Sequence, residues 1–267
     1  MNPNSITLPK ISIITVSYNQ GQFIEDNIKS VLDQNYPNIE HIIIDAGSTD
    51  NTIDVLKKYD KHLNWVSEPD KGQSDGLNKG FKKATGKIIG WFNSDDRIAP
   101  GALHKVAEFF INKPDEIGIV GNQVIIDEHG HRLKTIESKA YSSDFLLNHA
   151  KGITQNSMFF KREVLDKIGY LNEDIHYAMD HDLFIRIAKL KTIPYLDESL
   201  GEFRIQANAK TAQGSCNFAK ELISIRKSYG GRTLSPANID SYYLILTEPL
   251  RRISWLRKTV QILKGID

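Results

Sequence analysis

Two short acidic clusters stand where apolar runs stop. Asp45-Ala46-Gly47-Ser48-Thr49-Asp50 follows His41-Ile42-Ile43-Ile44, and Asn93-Ser94-Asp95-Asp96 follows Ile88-Ile89-Gly90-Trp91-Phe92. A carboxylate just past a buried strand sits at the carboxyl edge of a sheet, where open α/β folds bind their ligands. At one edge, Asp45 suits a base imide or a ribose hydroxyl, either of which donates to a carboxylate. At the other, Asp95 suits Mg²⁺ or Mn²⁺, which takes one or two protein carboxylates and completes its shell with substrate phosphates. Together the clusters point to an enzyme that uses an activated, phosphate-bearing donor.

Asp75, Asn78 and Gly80 form a third piece. Residues three apart share a helix face, so Asp75 and Asn78 converge on one ligand. Lys79 meets phosphate there or is simply solvated, as most surface lysines are. Asp70-Lys71-Gly72 reads as a loop that brings backbone close to the ligand. For Asp45 and Asp50 the competing role is structural, capping a turn or the next helix. Asp96 either assists Asp95 or only starts the turn.

These residues need a scaffold, and the chain spells one out. Apolar runs at Ile11–Val16, Ile39–Ile44, Leu63–Val66 and Lys87–Phe92 alternate with helical periodicity over Gly21–Gln34, Ser48–Tyr59 and Ser74–Ala84. Ser48 and Thr49 are candidate caps of the second of these helices. Such alternation predicts a mainly parallel sheet covered by helices. Beyond a helix at Ala102–Ile111, strands at Ile117–Ile126 and Arg132–Ile136 flank the turn Glu128-His129-Gly130 and make the sheet mixed. Ser157–Lys161 and Ile193–Leu196 are later strands, with a helix over Asp180–Leu190 between them. From Cys216 the chain turns helical and basic: Tyr242–Leu263, interrupted near Pro249, carries Arg251, Arg252, Arg257 and Lys258, with Lys264 just beyond.

Composition bounds the rest. The 267 residues carry a net charge of +1, which gives no reason to expect a nucleic-acid partner. A single cysteine, Cys216, excludes an internal disulfide and suits a reducing compartment. The first residues lack the basic-then-apolar pattern of a signal peptide, and no window reaches the ~20 apolar residues of a membrane span. The expected location is therefore the cytoplasm. The basic C-terminal helices either pack their apolar face on the domain with the charges solvated or make peripheral contact with the inner face of the membrane, the one membrane role the pattern allows.

The strings Ile13-Ile14-Thr15-Val16-Ser17-Tyr18-Asn19, Ser30-Val31-Leu32-Asp33-Gln34 and Ile44-Asp45-Ala46-Gly47-Ser48-Thr49-Asp50-Asn51-Thr52 come in that order. Ser67-Glu68-Pro69-Asp70-Lys71-Gly72, Asp75-Gly76-Leu77-Asn78-Lys79-Gly80 and Trp91-Phe92-Asn93-Ser94-Asp95-Asp96 continue the series, with Met179-Asp180-His181-Asp182-Leu183 and Arg186 closing it. The ordered set resembles family 2 glycosyltransferases, which have the GT-A fold. The likeness covers about residues 8 to 206 and leaves the tail outside.

The resemblance implies a nucleotide-diphosphate sugar donor, UDP being the commonest choice, and a saccharide or lipid-linked acceptor in polysaccharide or glycan assembly. It implies a domain over 1–215, with the nucleotide-sugar half at about 8–100 and the acceptor half at 101–215, and a helical extension over 216–267. Asp45 then recognises the base, Thr15 and Tyr18 form the pocket wall, and Asn19 lies beside them. Where the family has Asp-any-Asp, this chain has Asn93, Ser94 and Asp95. Asp95 becomes the sole direct metal ligand, and Asn93 hydrogen-bonds a ribose or a metal-bound water. Asp180 takes the place of the family's catalytic base, with Asp182 and plain helix capping as alternatives; His181 reads as structural. One base without a nearby nucleophile implies in-line displacement with inversion. Gln155-Asn156-Ser157 and the face of Trp91 are candidate acceptor contacts, although Trp91 equally suits the core. Arg204 and Lys210 are candidates to close over the diphosphate from a late loop. The other histidines fit no metal spacing.

Two other readings compete. A nucleotidyltransferase should carry a basic, Gly-rich loop after its first strand, and Ser17-Tyr18-Asn19-Gln20-Gly21 has no basic residue. A silent sugar-nucleotide-binding subunit is prompted by Asn93. A processive synthase is disfavoured, because Trp255 follows Ser254 rather than the arginine of a Gln-any-any-Arg-Trp motif.

Overall fold

A computed structural model describes residues 7–150, 153–206 and 215–251. Nine strands form one mixed sheet among them: β1 (Ile11–Ser17), β2 (Ile39–Asp45), β3 (Asn64–Ser67), β4 (Ile88–Asn93), β5 (Arg97–Ile98), β6 (Gly118–Ile126), β7 (Arg132–Ile136), β8 (Met158–Lys161) and β9 (Tyr195–Arg204). Their order is β3-β2-β1-β4-β8-β6-β9-β5, with β7 paired to β6. The first four are mutually parallel, while β8 runs antiparallel to both β4 and β6. The order reverses at β1, which lies between β2 and β4. A crevice opens at the carboxyl ends of the strands where such a reversal occurs.

Helices α1 (Ile24–Leu32), α2 (Thr52–Lys58), α3 (Gln73–Lys83) and α4 (Ala102–Asn112) cover the first half. Helices α5 (Ser143–Asn148), α6 (Glu163–Ile168), α7 (Met179–Leu190), α8 (Ser215–Ser228) and α9 (Pro236–Arg251) follow. Strand β1 is buried along its whole length because helices lie on both faces. Its pleat divides the core: Ile11 and Ile13 pack with α4, whereas Ile14 and Val16 pack with α3. Gly80 sets the α3 contact, since a Cβ there would lie 2.5 Å from Ile14 Cγ2.

Three elements differ from the sequence expectation. Helix α2 starts at Thr52 rather than Ser48, because Asp50 Oδ1 accepts the Thr52 N–H (3.0 Å) and Ser48 is engaged elsewhere. Strand β9 runs eight residues beyond Leu196, through the polar stretch Asp197-Glu198-Ser199; β6 and β5 satisfy its backbone. Helix α9 begins at Pro236, a favoured first position, and continues past Pro249 to Arg251. Arg252, Arg257, Lys258 and Lys264, on which peripheral membrane contact was argued, lie outside the described residues, as does Lys210. No described helix is long and apolar enough to cross a membrane. The division drawn at 215/216 does not coincide with a break in packing: Leu222 and Ile225 of α8 join the core of α5 and α7.

Candidate active site

A cleft of about 780 Å³ opens at the carboxyl ends of β1 and β4. Tyr18, Asn93, Ser94, Asp95 and Asp180 all line it. Thr15, Asn19, Asp45, Asp75, Asn78 and Gly80 are not among its lining residues.

The pleat explains Thr15. It shares a face with Ile13 and is fully buried, with Oγ1 3.0 Å from His41 Nε2 and 3.3 Å from Asn27 Oδ1. Val16 takes the cleft face instead. Asp45 is also fully buried, and its oxygens accept from the Gly47 and Ser48 N–H groups and the Ser48 and Ser67 hydroxyls (2.5–3.1 Å). It closes a turn, and that turn puts Ala46 on the cleft wall. Asn19 adopts a left-handed conformation (φ 51°), which asparagine tolerates. Its Oδ1 accepts the Thr49 N–H and its own N–H donates to Ser48 Oγ, both at 2.8 Å. Asp50 accepts from Gly21 and Thr52 N–H, joining the same two loops.

On α3, Asn78 is a tie. Its Nδ2 donates to Leu171 O and Glu173 Oε1, and its Oδ1 accepts the Leu171 N–H. Gly80 is a packing glycine. Asp75 accepts the Lys71 N–H, which holds its carboxyl below the ordinary range, and pairs with Lys79 at 3.3 Å. Lys79 also reaches Glu68 at 3.1 Å, so its charge is spent within the protein. Asp75 and Asn78 bond different protein partners in this structure, and neither lines the cleft. Gly72 and Asp70 do reach the cleft.

Strand β4 aims Asn93, Ser94 and Asp95 into the cleft. Asn93 Oδ1 accepts from Gln73 Nε2 (2.9 Å) and Trp91 Nε1 (3.4 Å). Trp91 is buried in the core yet borders the cleft. Asp95 Oδ2 accepts from Gln206 Nε2 at 2.7 Å. Burial raises its carboxyl, opposed by the Gln206 bond. Asp96 points away, buried, with Oδ1 accepting the Arg204 N–H and Oδ2 lacking a well-formed hydrogen bond among the described residues. Burial first, then repulsion from Asp95, pushes it well above the carboxylate range.

Arg204 is not a late-loop residue. It ends β9, is 1% exposed, and supports the Asp95 turn from behind. Its guanidinium donates to Asp95 O (2.8 Å) and Glu128 O (2.9 Å), pairs with Asp26 (3.0 Å), and stacks over Phe23. Gln155 lines the cleft and donates to Trp91 O, while Asn156 and Ser157 are buried behind it.

Asp180, the second residue of α7, faces the cleft, and its Oδ1 accepts the His181 N–H. Asp182 faces inward between Arg186 (2.8 Å) and the Tyr229 hydroxyl (2.8 Å). His181 is buried against Leu146 O; burial, with Arg226 beside it, pushes its pKa down to about 3. Sequence reasoning missed Gln73, Tyr177, Phe203, Gln206 and Phe218, all of which line the cleft. Gln73 opens a helix after Gly72, and that position is a usable signal; the others come from chain segments without a motif.

The charge balance is the most informative property of this site. Its described lining holds three carboxylates, Asp70, Asp95 and Asp180, and no Lys, Arg or His. Among the described residues no group of three or more His, Cys, Asp or Glu forms a ready-made metal cage. Asp95 fits a hard divalent cation that takes its other oxygens from a phosphate ligand and water.

The family model described as "Glycosyl transferase family 2" matches residues 12–169, more than half of the chain. The chain is 31% identical over 210 residues to a putative teichuronic acid biosynthesis glycosyltransferase, TuaG, of Bacillus subtilis, covering 75% of this chain and 81% of that one. It is 30% identical over 282 aligned positions to an uncharacterized glycosyltransferase of Rickettsia felis, covering 99% of this chain and 45% of that one. Among solved structures, S. aureus TarS 1-349 in complex with UDP-GlcNAc superposes with a TM-score of 0.64 at 20% identity, over 96% of this chain and 76% of that one. A longer TarS structure is matched over 45% of its length. The mannosyltransferase PcManGT from Pyrobaculum calidifontis, in complex with GDP-Man and Mn²⁺, gives 0.66 at 18% identity, over 92% and 72% of the two chains. The chain therefore belongs to glycosyl transferase family 2 and has the GT-A fold.

Proposed function

We propose that this glycosyltransferase moves a sugar from a nucleotide-diphosphate donor, UDP-linked in the first instance, to a hydroxyl of a saccharide or lipid-linked acceptor, with inversion and with help from Mg²⁺ or Mn²⁺. The observation that carries the reading is the shared cleft of Asp95 and Asp180, whose described lining is anionic. Among the described lining residues a diphosphate meets only like charge, which favours a cation between it and Asp95. When bound, that cation offsets the charge on the departing diphosphate.

Asp180 takes the acceptor hydroxyl proton as the oxygen bonds the anomeric carbon and the bond to the diphosphate oxygen breaks. Asp182, the carboxylate nearest to it in the sequence, is committed to Arg186 and Tyr229, which supports direct displacement over attack by a protein nucleophile. Asn93, whose Oδ1 already accepts two bonds, offers its amide N–H groups to the ligand rather than an oxygen. The UDP-GlcNAc and GDP-Man complexes of the structural neighbours support a nucleotide-sugar donor. TuaG, named for teichuronic acid, supports a role in surface polysaccharide assembly. Cytoplasmic placement and contact of the basic tail with anionic lipid belong to the same proposal.

A panel of UDP- and GDP-sugars, read by nucleotide diphosphate release with Mn²⁺ present, tests it. Turnover that needs the metal and disappears in Asp95→Ala is expected. Full metal-independent turnover contradicts it, and binding without turnover favours a silent subunit.

A further inference from the structure

Helices α7 and α8 both lie outside the residues matched by the family model, and α8 holds the segment that presents Asp180. Glu221 Oε1 accepts the His176 N–H at 3.0 Å, and Oε2 accepts the Tyr177 and Ala178 N–H groups at 2.7 and 3.0 Å. These three amides immediately precede α7, whose own N-cap position, Ala178, has no side chain able to cap. A carboxylate accepting several N–H bonds is a strong, charge-assisted clamp. Five residues further along α8, Arg226 Nε lies 3.4 Å from His181 Nε2, and Tyr229, just past the end of the helix, donates its hydroxyl to Asp182 Oδ1 at 2.8 Å. Phe218, one turn before Glu221, lines the cleft together with Tyr177 and Asp180.

The grip thus falls on residues 176–178 before Asp180 and on 181–182 after it. We propose that Glu221 is a positioning residue for Asp180: its carboxylate, bound to three consecutive amides, fixes the entry of α7 and so the place of the base in the cleft. The inference rests on the reading of Asp180 as the base. Glu221 itself does not line the cleft, so its loss shifts the segment that carries Tyr177 and the base without deleting a side chain of the lining. A misplacement of about 1 Å costs on the order of 100-fold in rate.

The test compares wild type, Glu221→Ala, Glu221→Gln, Asp180→Asn and a stability control, Glu40→Gln, in the full chain. Glu40 clamps Ser12, Thr85 and Gly86 by a comparable set of bonds, remote from the cleft. Nucleotide release from the UDP- and GDP-sugar panel with Mn²⁺, water serving as acceptor, gives kcat and donor KM. Glu221→Ala should lose roughly 10- to 100-fold in kcat with donor KM within about 2-fold. Glu221→Gln, which keeps one carbonyl acceptor, should fall between it and wild type. Glu40→Gln should lower Tm and leave kcat unchanged. Unchanged kcat in Glu221→Ala, with Asp180→Asn inactive, overturns this assignment alone; wild-type turnover by Asp180→Asn overturns the base itself. Amide hydrogen exchange supplies an arm independent of turnover. Glu221→Ala should lose protection at 176–178 and also at 180–182, whereas loss confined to 176–178, or no loss, contradicts the proposal.

Discussion

The two walls of the cleft are built on different principles. The wall from β1, β2 and β4 starts from turns at strand ends, closed by side chains two or three residues away, Asp45 on Gly47 and Ser48 and Asp50 on Thr52, which longer ties such as Asn19 to Thr49 and Arg204 to Asp95 then lock together. The wall from α7 and α8 is held by side chains that reach 43 to 47 residues along the chain, from Glu221 to 176–178 and from Tyr229 to Asp182. Local turns need recurring residue types at fixed spacing, so the first wall carries motifs. Long-range bonds need only a suitable side chain in the right place, so the second carries almost none. A motif residue is accordingly no guarantee of ligand contact. Much of the first wall's signature builds the turns that place Ala46, Asn93 and Asp95.

The largest effects should separate the residues that reach the cleft from those that do not. Asp95→Ala and Asp180→Asn should each lower nucleotide release by about 10³-fold or more, with Tm near wild type. Comparable turnover in either variant breaks the assignment. Asn78→Ala, although a motif change, should act on stability: losing the bonds to Leu171 and Glu173 should cost about 2–3 kcal/mol in denaturant unfolding. A loss of donor affinity out of proportion to that would return Asn78 to the binding site. Gly80→Ala should cost on the order of 1–3 kcal/mol by overpacking against Ile14, read as a lower Tm.

The smallest effect concerns the opposite end of the sheet. Burial pushes Glu40 up, but bonds from Lys10, Ser12 and Thr85 prevail and hold its pKa at about 2. A carboxyl depressed in the folded state adds stability above its ordinary pKa, and that stability is lost as pH falls through the folded value. Glu40→Gln should therefore cost about 1–2 kcal/mol at pH 7, and the deficit should shrink between pH 4.5 and 2. A deficit independent of pH would show that packing, not charge, holds that end.

The alternation of apolar runs made the parallel half of the sheet legible, because strands buried on both faces are apolar throughout. The period of two was equally legible in Ile11, Ile13 and Thr15 against Ser12, Ile14 and Val16, and it assigns Thr15 to the face of α1 rather than the cleft. The continuation of β9 beyond Leu196 escaped because Asp197, Glu198 and Glu202 are polar, and pairing with β6 and β5 stabilises it instead. Its true length turned Arg204 from a loop residue into a buried support for the Asp95 turn. Phe218 and Glu221 gave no signal, because their roles exist only once α8 packs on α7.

The central claim is that Asp95 and Asp180 face the same bound sugar nucleotide from opposite sides. Diffraction from crystals of Asp180→Asn grown with Mn²⁺ and a UDP-sugar tests it most directly. An anomalous manganese peak coordinated by an Asp95 oxygen and the diphosphate is expected, with the anomeric carbon turned toward residue 180. Manganese bound away from Asp95, or a sugar turned away from residue 180, would contradict it.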